Sequence, residues 1–413
     1  MIHTSLSPNT EFDDLTLSFS SLILPWRWFS WREGRYTHDL ELAFRTSLDV
    51  GHAISFYRGT DALFVLLKAI GIGSGDEVIL QAYTCVVVPN AIQYTGARPV
   101  FVDIEEGGYN IDPELIEKAI TEKTKAVIIQ HTFGEPANIE AIQDICKRYK
   151  VLLIEDCAHA LSGRFQGRKL GTFGDAAIWS FGRDKIISSV WGGMVTTADE
   201  QIARKVQRIH DVLKAPGFLQ VFQALLHPLV FALIKPIYTW KLGRGILFLI
   251  QKLHLIPKVI LPIEKKGKKA ARTPQKMANA LARLAIHQLK KLYRFQQHRK
   301  GLAEFYTKAL KDIPGLQLPH PGLQADPAWL RYTIRTPKAY QILKKAQRAG
   351  IYLGDWYRSV LAPEDCDPAD FQYVMGTCPR AERAARETLN LPTHIQMMKA
   401  KAEGVVGVVT SLL

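Results

Sequence analysis

The sequence predicts an α/β protein with a mainly parallel sheet, followed by a smaller α+β domain. Between residues 51 and 214, short apolar runs alternate with helical stretches. After about residue 275, helical patterns surround the strand-like run WLRYTIRT. Alternation of buried strands with helices is typical of parallel sheets that are covered on both faces.

The length and the changes of pattern divide the chain into segments. At 413 residues, it is too long for one small hydrophobic core. We assign an N-terminal arm with a first helix (1–50), a large domain (51–214), an apolar and basic insertion (215–270) and a small C-terminal domain (271–413).

Six apolar runs are the candidate strands of the large domain. They are HAISFY, EVILQA, PVFVDI, KAVIIQH, VLLIED and AAIWSF. Helical stretches such as DALFVLLKAIG and NIEAIQDICKRYK lie between several of them. Ligands of parallel sheets bind beyond the carboxyl ends of the strands, so we expect functional side chains where these runs end.

The insertion leaves two interpretations open. A membrane-spanning helix needs about 20 nearly uninterrupted apolar residues, and the apolar run 218–234 is shorter and contains polar residues and a proline. Amphipathic helices at a membrane surface are one alternative, since the basic stretch 265–276 would favour anionic lipid. The other is packing against the body of the protein or a second subunit.

Charge and cysteine content limit the partners. Lys and Arg total 53 against 39 Asp and Glu, a formal net charge of +14, which favours anionic ligands. We find no zinc finger, RNA-binding signature or metal-ligand spacing, so neither nucleic acid nor a metal ion is expected. Five scattered cysteines and a polar start without a signal-peptide pattern predict a reduced, cytoplasmic protein.

An acid and a lysine stand at the ends of two successive candidate strands. Asp156 ends VLLIED, and Lys185 follows AAIWSF and precedes a Gly-Gly turn. A pyridoxal phosphate enzyme needs both, because the lysine forms a Schiff base with the cofactor and the carboxylate keeps the pyridine nitrogen protonated. The freed lysine can also move the substrate α-proton. Taken alone, such an acid more often caps a helix, and such a lysine is more often a surface charge.

The acid next to Asp156 is the competing candidate. Glu155 and Asp156 are adjacent, so on a strand they point to opposite faces and only one can face a ligand. We choose Asp156, because His159 can support it from the turn that follows.

Two further features are candidate phosphate ligands. Gly59 and Thr60 begin a helix after a strand, where backbone N–H groups and the helix dipole favour an anion. The Ser180 hydroxyl, at the end of AAIWSF, can point at the same phosphate. Taken alone, the Gly59–Thr60 turn is more often an ordinary helix cap, and Ser180 can equally be a buried serine bonded to backbone.

These motifs resemble the DegT/DnrJ/EryC1/StrS aminotransferases. The matching stretches include GTDALFVLLKAIGIGSGDEVIL, YTCVVVPNAIQYTGARPVFVDI, residues 151–193, MANALARLAIHQL and CPRAERAARETLNLPTH. The resemblance spans roughly residues 30–400 except the insertion. It implies a fold-type I transferase that uses pyridoxal 5′-phosphate (PLP), with a sheet of the seven-stranded type, working as a homodimer with sites across the interface.

The resemblance also implies residue roles. Lys185 would be the Schiff-base lysine and Asp156 the partner of the pyridinium nitrogen. His159 would lie beneath the phenolic oxygen, and Thr84 in the loop near the ring. Gly59, Thr60 and Ser180 would take the phosphate.

The implied activity is transfer of an amino group from an amino acid, glutamate by expectation, to a keto-sugar. A nucleotide-linked sugar of polysaccharide, lipopolysaccharide or glycoside biosynthesis is expected. Two alternatives are a non-catalytic, regulatory PLP-binding member and a membrane-associated member acting on a lipid-linked substrate, with membrane contact through 215–276. A Rossmann oxidoreductase is set aside, because no GxGxxG follows the first strand.

The chain departs from the family pattern at three places. Cys85 stands where an aromatic residue often stacks on the ring, and Val190–Trp191 replace a Gly-Glu pair. An asparagine that reaches the phosphate across the dimer has no match, and Arg272 or Lys276 could replace its effect. Four later residues could meet substrate or serve only in packing: Arg331, Trp356, Tyr357 and Arg358.

Overall fold

The computed structural model describes residues 2–4, 7–238, 241–252, 256 and 259–413. The strands are β1 (Ile2–His3), β2 (His52–Phe56), β3 (Glu77–Gln81), β4 (Thr84–Cys85), β5 (Arg98–Val102), β6 (Thr124–Gln130), β7 (Leu152–Asp156), β8 (Arg164–Phe165), β9 (Arg168–Lys169), β10 (Ala176–Ser180), β11 (Gly193–Thr197), β12 (Ala325–Asp326), β13 (Tyr332–Arg335), β14 (Ile351–Tyr352), β15 (Leu361–Ala362) and β16 (Thr388–Leu391).

The helices are α1 (Phe12–Ile23), α2 (Pro25–Trp28), α3 (Arg35–Leu48), α4 (Gly59–Ala69), α5 (Val87–Gln93), α6 (Pro113–Ala119), α7 (Ile139–Tyr149), α8 (Glu200–Asp211), α9 (Phe218–Ile234), α10 (Lys241–Lys252), α11 (Asn279–Leu289), α12 (Leu292–Leu310), α13 (Ala339–Arg348), α14 (Pro379–Glu387) and α15 (Lys399–Thr410).

The central sheet has seven strands in the order β2-β11-β10-β7-β6-β3-β5. Strand β11 is antiparallel to both neighbours, and the other pairs are parallel. The predicted α/β class with a mainly parallel sheet is therefore confirmed. Six strands coincide with the six apolar runs. The seventh, β11, is missing from the predicted strands, because its sequence GMVTT ends in threonines and carries little apolar signal.

Apolar cores on both faces explain why the strand sequences are so apolar. One core includes α3, α7 and α11, and the other includes α4, α5 and α8. A strand that is buried on both faces cannot alternate apolar and polar residues, so continuous apolar runs are expected. The C-terminal half has its own core, where α12, α13 and α15 pack near the antiparallel pair β13–β16. Strand β15 pairs with β4 in a separate two-stranded sheet, which joins this half to the large domain.

Two predicted segments have a different form in the structure. The N-terminal arm contains a helix before the predicted one, α1, which begins with a capping exchange between Glu11 and Asp14. The helical pattern after residue 275 forms two helices, α11 and α12, which are separated at Lys290–Lys291 rather than joined in one long helix. The Lys291 ammonium there binds the carboxylate of Asp13, with an N–O distance of 2.7 Å.

The segment predicted as an insertion carries α9 and α10. In the described part of the chain, one helical stretch, 218–237, is long and apolar enough to cross a membrane, with mean hydropathy 1.6 and 39% of it buried. Helix α9 packs on α1, and His227 on it is completely buried. Part of the predicted insertion, residues 239–240, 253–255 and 257–258, lies outside the described residues.

The carboxylate of Glu155 ties β7 to the following loop. It is completely buried and accepts hydrogen bonds from the backbone N–H groups of Gly171, Phe173 and Gly174, at 2.7, 2.6 and 2.7 Å. It also contacts His131 Nε2 at 3.1 Å. These contacts use both carboxylate oxygens, so Glu155 is a structural residue that fixes the loop leading into β10.

Glu155→Gln should destabilise the apoprotein by about 2–4 kcal/mol, because an amide leaves at least one buried N–H without an acceptor. Urea unfolding followed by circular dichroism measures this. The matched control is Glu403→Gln, on the exposed face of α15, which should change stability little. Equal stability of the two variants would show that the Glu155 contacts contribute nothing.

Candidate active site

A cavity of about 650 Å³ lies where β2, β7 and β10 end. Six of the residues predicted from the sequence line it: Gly59, Thr60, Asp156, His159, Ser180 and Lys185. The ends of parallel strands bring them together, although they are up to 126 positions apart (185 minus 59).

Lys185 and Asp156 share the cavity. Asp156 is 4% exposed, and one of its oxygens accepts the N–H of Ala158 at 3.0 Å. Burial raises the pKa of Asp156, while the nearby Lys185 lowers it. Burial lowers the pKa of Lys185, and Asp156 partly offsets this. The amine is therefore more easily deprotonated than a surface lysine, which is what an amine nucleophile requires.

The N-terminal arm holds the loop that carries Lys185. Asn9 is completely buried, and its side-chain amide donates to the carbonyl of Lys185. The Asn9 oxygen accepts from Arg299 at 2.9 Å. Gln288 on α11 donates to the Asn9 carbonyl at 3.0 Å and accepts from the Ser188 N–H at 2.8 Å. The arm and the helical C-terminal half thus fix this loop, a role that the sequence reading missed.

His159 is neutral and has a defined tautomer. Burial lowers its pKa well below the ordinary value, and the positive charge of Lys185 adds to this. The backbone N–H of Phe133 donates to His159 Nδ1 at 3.2 Å, so Nε2 carries the proton. The imidazole stacks between Phe133 and Trp356, with ring centroids 6.0 and 5.8 Å away.

Close packing between α4 and β10 forms a small cradle. A Cβ added at Gly59 would lie 3.1 Å from Ser180 Cβ and 3.3 Å from its Oγ, so glycine allows the two segments to meet. A Cβ at Gly193 would lie 2.5 Å from backbone atoms of Arg58 and Gly59. The first N–H groups of α4 and the Ser180 hydroxyl therefore face one small volume, as an anion site requires.

Thr84 is the predicted residue that does not line the cavity. It lies in β4, and its hydroxyl donates to the side-chain oxygen of Gln130 at 2.8 Å. Gln130 does line the cavity. Any influence of Thr84 on a bound ligand would therefore pass through Gln130.

Other cavity residues had a weaker sequence signal or none. The cavity is also lined by Arg58, Arg183, Trp191 and Cys85. Val259 and Ile260 come from the insertion, which therefore supplies part of the wall. Arg58 directly precedes the Gly-Thr turn, and Arg183 lies two residues before Lys185. Proximity to the predicted site residues was therefore the feature of the sequence that could have identified both arginines.

Of the four candidate substrate residues in the C-terminal half, three line the cavity and Arg331 does not. Trp356, Tyr357 and Arg358 line the cavity. The guanidinium of Arg331 lies 3.8 Å from the Trp356 ring centroid, so Arg331 supports that ring. Lys185 Nζ lies 5.5 Å from the same centroid. Trp356 is therefore an aromatic wall close to the lysine, on a different segment from Cys85.

Arg272 and Lys276 have partners within this subunit. Arg272 forms an ion pair with Glu264, and Lys276 donates to the carbonyl of Asp211 at 3.1 Å. Neither lines the 650 Å³ cavity.

The donor set of the cavity fits PLP. Lys185 offers an amine for the aldehyde, Asp156 offers a carboxylate for the ring nitrogen, and the Gly59–Ser180 cradle offers N–H and O–H donors for the phosphate.

Comparisons with known proteins identify the family of this chain. The model of the DegT/DnrJ/EryC1/StrS aminotransferase family matches residues 23–227 and 263–410, leaving out only 228–262 between them. A "Pleiotropic regulatory protein" of Geobacillus stearothermophilus is 30% identical over 379 residues, 90% of this chain and 88% of that protein. The spore coat polysaccharide biosynthesis protein SpsC of Bacillus subtilis is 30% identical over 393 residues, 94% and 91% of the two chains. GDP-perosamine synthase of Caulobacter vibrioides is 28% identical over 386 residues, 92% and 91% of the two chains.

Solved structures share the fold. The aminotransferase TlmJ from Streptoalloteichus hindustanus is 26% identical with a TM-score of 0.77, covering 100% of this chain and 98% of that one. The protein Spr1654 of Streptococcus pneumoniae, in a structure described as its PLP-form, is 19% identical with a TM-score of 0.76, covering 98% of this chain and 97% of that one. The predicted fold of a PLP-dependent transferase is thereby confirmed, and the chain belongs to the DegT/DnrJ/EryC1/StrS aminotransferase family.

Proposed function

We propose that the protein binds PLP at this cavity and transfers an amino group from glutamate to a nucleotide-linked keto-sugar. The observation that carries the proposal is the amine of Lys185 beside the buried carboxylate of Asp156 in one cavity. Relatives named GDP-perosamine synthase and dTDP-4-dehydro-2,3,6-trideoxy-D-glucose 4-aminotransferase support a nucleotide-linked sugar as acceptor. The net charge of +14 suits a diphosphate-bearing substrate.

PLP, when bound, supplies an aldehyde that takes up amines and a protonated ring that withdraws electrons. Lys185 would hold the aldehyde covalently and, when released, move the proton at the substrate α-carbon. Asp156 would keep the ring nitrogen protonated, because its carboxylate accepts that N–H. His159 would donate from Nε2 to the ring oxygen. Gly59, Thr60 and Ser180 would bind the phosphate, and Thr84 would orient Gln130.

We propose a cytoplasmic homodimer as the working form, in line with the family resemblance. Light scattering on the purified protein reports the mass directly. A species of 46.5 kDa at micromolar concentration would contradict the dimer.

A regulatory member without catalysis is the second candidate. The 30% identical relative named "Pleiotropic regulatory protein" and the replacement of a Gly-Glu pair by Val190–Trp191 favour it. This candidate predicts PLP binding without conversion of any amino donor, so the experiment below separates the two.

PLP-loaded wild-type protein should show an absorbance band near the visible edge, which glutamate bleaches while 2-oxoglutarate forms. Lys185→Ala should lack the band and the product, because no amine holds the aldehyde. Borohydride reduction followed by peptide mass spectrometry should place the cofactor on Lys185. A keto-sugar nucleotide should then restore the wild-type band.

The control for this experiment is Lys68→Ala, which removes an exposed lysine of α4 and should behave as wild type. A wild-type protein with cofactor on Lys185 that no amino donor changes would favour the regulatory candidate. Absence of covalent cofactor in the wild type would overturn the PLP assignment itself.

Asp156→Asn should still bind PLP but slow the glutamate half-reaction at least about 100-fold, because a neutral amide does not hold the ring nitrogen protonated. Single-turnover absorbance measures the rate. Asp144→Asn, on the exposed side of α7, is the control and should leave the rate unchanged. A half-reaction rate within threefold of wild type would remove Asp156 from this role.

We also propose contact with an anionic membrane surface through the segment 215–276. Exposed apolar side chains support it, since Leu219, Leu233 and Phe248 are 65%, 76% and 68% exposed. Helix α1 adds to this surface. It buries Asp14, Ser18 and Ser21 and exposes Phe12, Phe19 and Ile23, the reverse of the usual pattern for a helix that packs on a core. Basic residues at 265–276 would meet the lipid phosphates.

Wild-type protein should float with vesicles that contain anionic lipid, and high salt should weaken the binding. Phe248→Ser/Leu249→Ser should bind at least about tenfold more weakly, because two apolar side chains no longer enter the lipid. Val374→Ser/Met375→Ser is the control, since it changes an exposed apolar pair outside the segment. No flotation of the wild type, or equal flotation of all three proteins, would end the membrane proposal.

A further inference from the structure

Two arginines lie close to the ring of one tryptophan on the cavity wall. The guanidinium carbon of Arg58 lies 4.2 Å from the Trp191 ring centroid, and that of Arg183 lies 4.9 Å from it. Tyr57 extends the assembly, with its ring centroid 6.3 Å from that of Trp191 and an angle of 28° between the ring planes. We call Arg58, Trp191 and Arg183 the arginine–tryptophan stack. All three line the cavity.

The positive charge of Arg58 is poorly compensated. Burial lowers the pKa of Arg58 and of Arg183 to about 10, and Asp61 and Asp184 offset this only in part. Both guanidinium groups remain charged at neutral pH. Among the residues that the structure describes, no carboxylate lies within ion-pair distance of Arg58. A partly desolvated cation without an ion-pair partner is costly unless an anion joins it.

The tryptophan adds an unused donor. Trp191 is 5% exposed, and its indole N–H has no hydrogen-bond partner among the described residues. Buried polar groups are nearly always hydrogen-bonded, so this N–H indicates a missing acceptor. Charge and hydrogen bonding therefore point independently to an anionic ligand with acceptor oxygens.

The stack adjoins the phosphate cradle. Arg58 directly precedes Gly59, and the backbone of Gly193 packs against the Arg58 carbonyl. Thr60 and Ser180 line the same cavity. An anion between the cradle and the stack would reach the N-terminus of α4 and both arginines.

We propose that Arg58 and Arg183, braced by Trp191, form a phosphate-binding site that sets the ligand specificity of this cavity. The inference rests on the proposed PLP site and deepens it. A phosphate group can come from two sources, the 5′-phosphate of the cofactor or the diphosphate of the nucleotide-linked substrate. Guanidinium groups suit either, because they donate two parallel hydrogen bonds to phosphate oxygens.

This site would compensate for a departure from the family pattern. The chain has no match for the asparagine that other members donate across the dimer, and Arg272 and Lys276 are engaged elsewhere within the subunit. Arg58 and Arg183 are positioned to supply the lost phosphate contact from within the subunit that holds Lys185.

The experiment compares PLP with pyridoxal, which lacks the phosphate, on apoprotein of wild type, Arg58→Met, Arg183→Met and the control Arg348→Met. Tryptophan fluorescence quenching gives the dissociation constants. Each cavity variant should bind PLP about tenfold to a hundredfold more weakly and pyridoxal as wild type does. Arg348→Met, on the exposed face of α13, should match wild type for both. Arg58→Lys should restore part of the PLP affinity.

A second arm identifies the source of the phosphate. Calorimetry measures the binding of dTDP and UDP to PLP-loaded protein. If the variants lose nucleoside diphosphate affinity but keep PLP affinity, the stack binds the substrate diphosphate. The reverse result assigns it to the cofactor.

Unchanged affinity for PLP and for both nucleoside diphosphates, in variants that keep the wild-type circular dichroism spectrum, would overturn the inference. Failure of the wild type to attach PLP to Lys185 is a separate result that would overturn the proposed function. Equal losses for PLP and pyridoxal would show that the arginines act only in folding, which also contradicts a phosphate site.

Discussion

The active site depends on holding an amine and a carboxylate together in a cavity that is largely shielded from water. Desolvation disfavours both charges, and the attraction between Lys185 and Asp156 offsets that cost in part. Such a pair keeps its geometry only if the backbone around it cannot relax. Glu155 fixes the loop between β7 and β10, and Asn9 fixes the carbonyl of Lys185.

The departures from the family pattern are not scattered through the fold. Val190 has φ 72°, a left-handed conformation that β-branched residues rarely adopt, and it directly precedes Trp191. The ring centroid of Trp191 in turn lies 4.2 and 4.9 Å from two guanidinium carbons, one from the start of α4 and one from the lysine loop. The insertion reaches the same cavity through Val259 and Ile260. The arginine–tryptophan stack and the insertion therefore line the same cavity as Lys185 and Asp156.

Much of the fold and the site could be predicted from local sequence. Apolar runs marked six strands, because strands buried on both faces leave a continuous signal. Gly59, Thr60, Asp156, His159, Ser180 and Lys185 stand where such runs end, and the structure places all six around one cavity. Strand β11 and helix α1 were not predicted. The sequence of β11 ends in threonines, and α1 buries polar residues where a helix usually buries apolar ones.

The sequence by itself determined the class of fold and the family, and it singled out Lys185 and Asp156. Each of these depends on a local motif at the end of a single strand. Only the tertiary structure decided which distant residues meet there. Asn9 reaches Lys185 across 176 positions, and Arg58 and Arg183 both contact the ring of Trp191. No periodicity encodes such contacts, since they arise when helices and loops pack around a sheet whose strand order differs from the chain order.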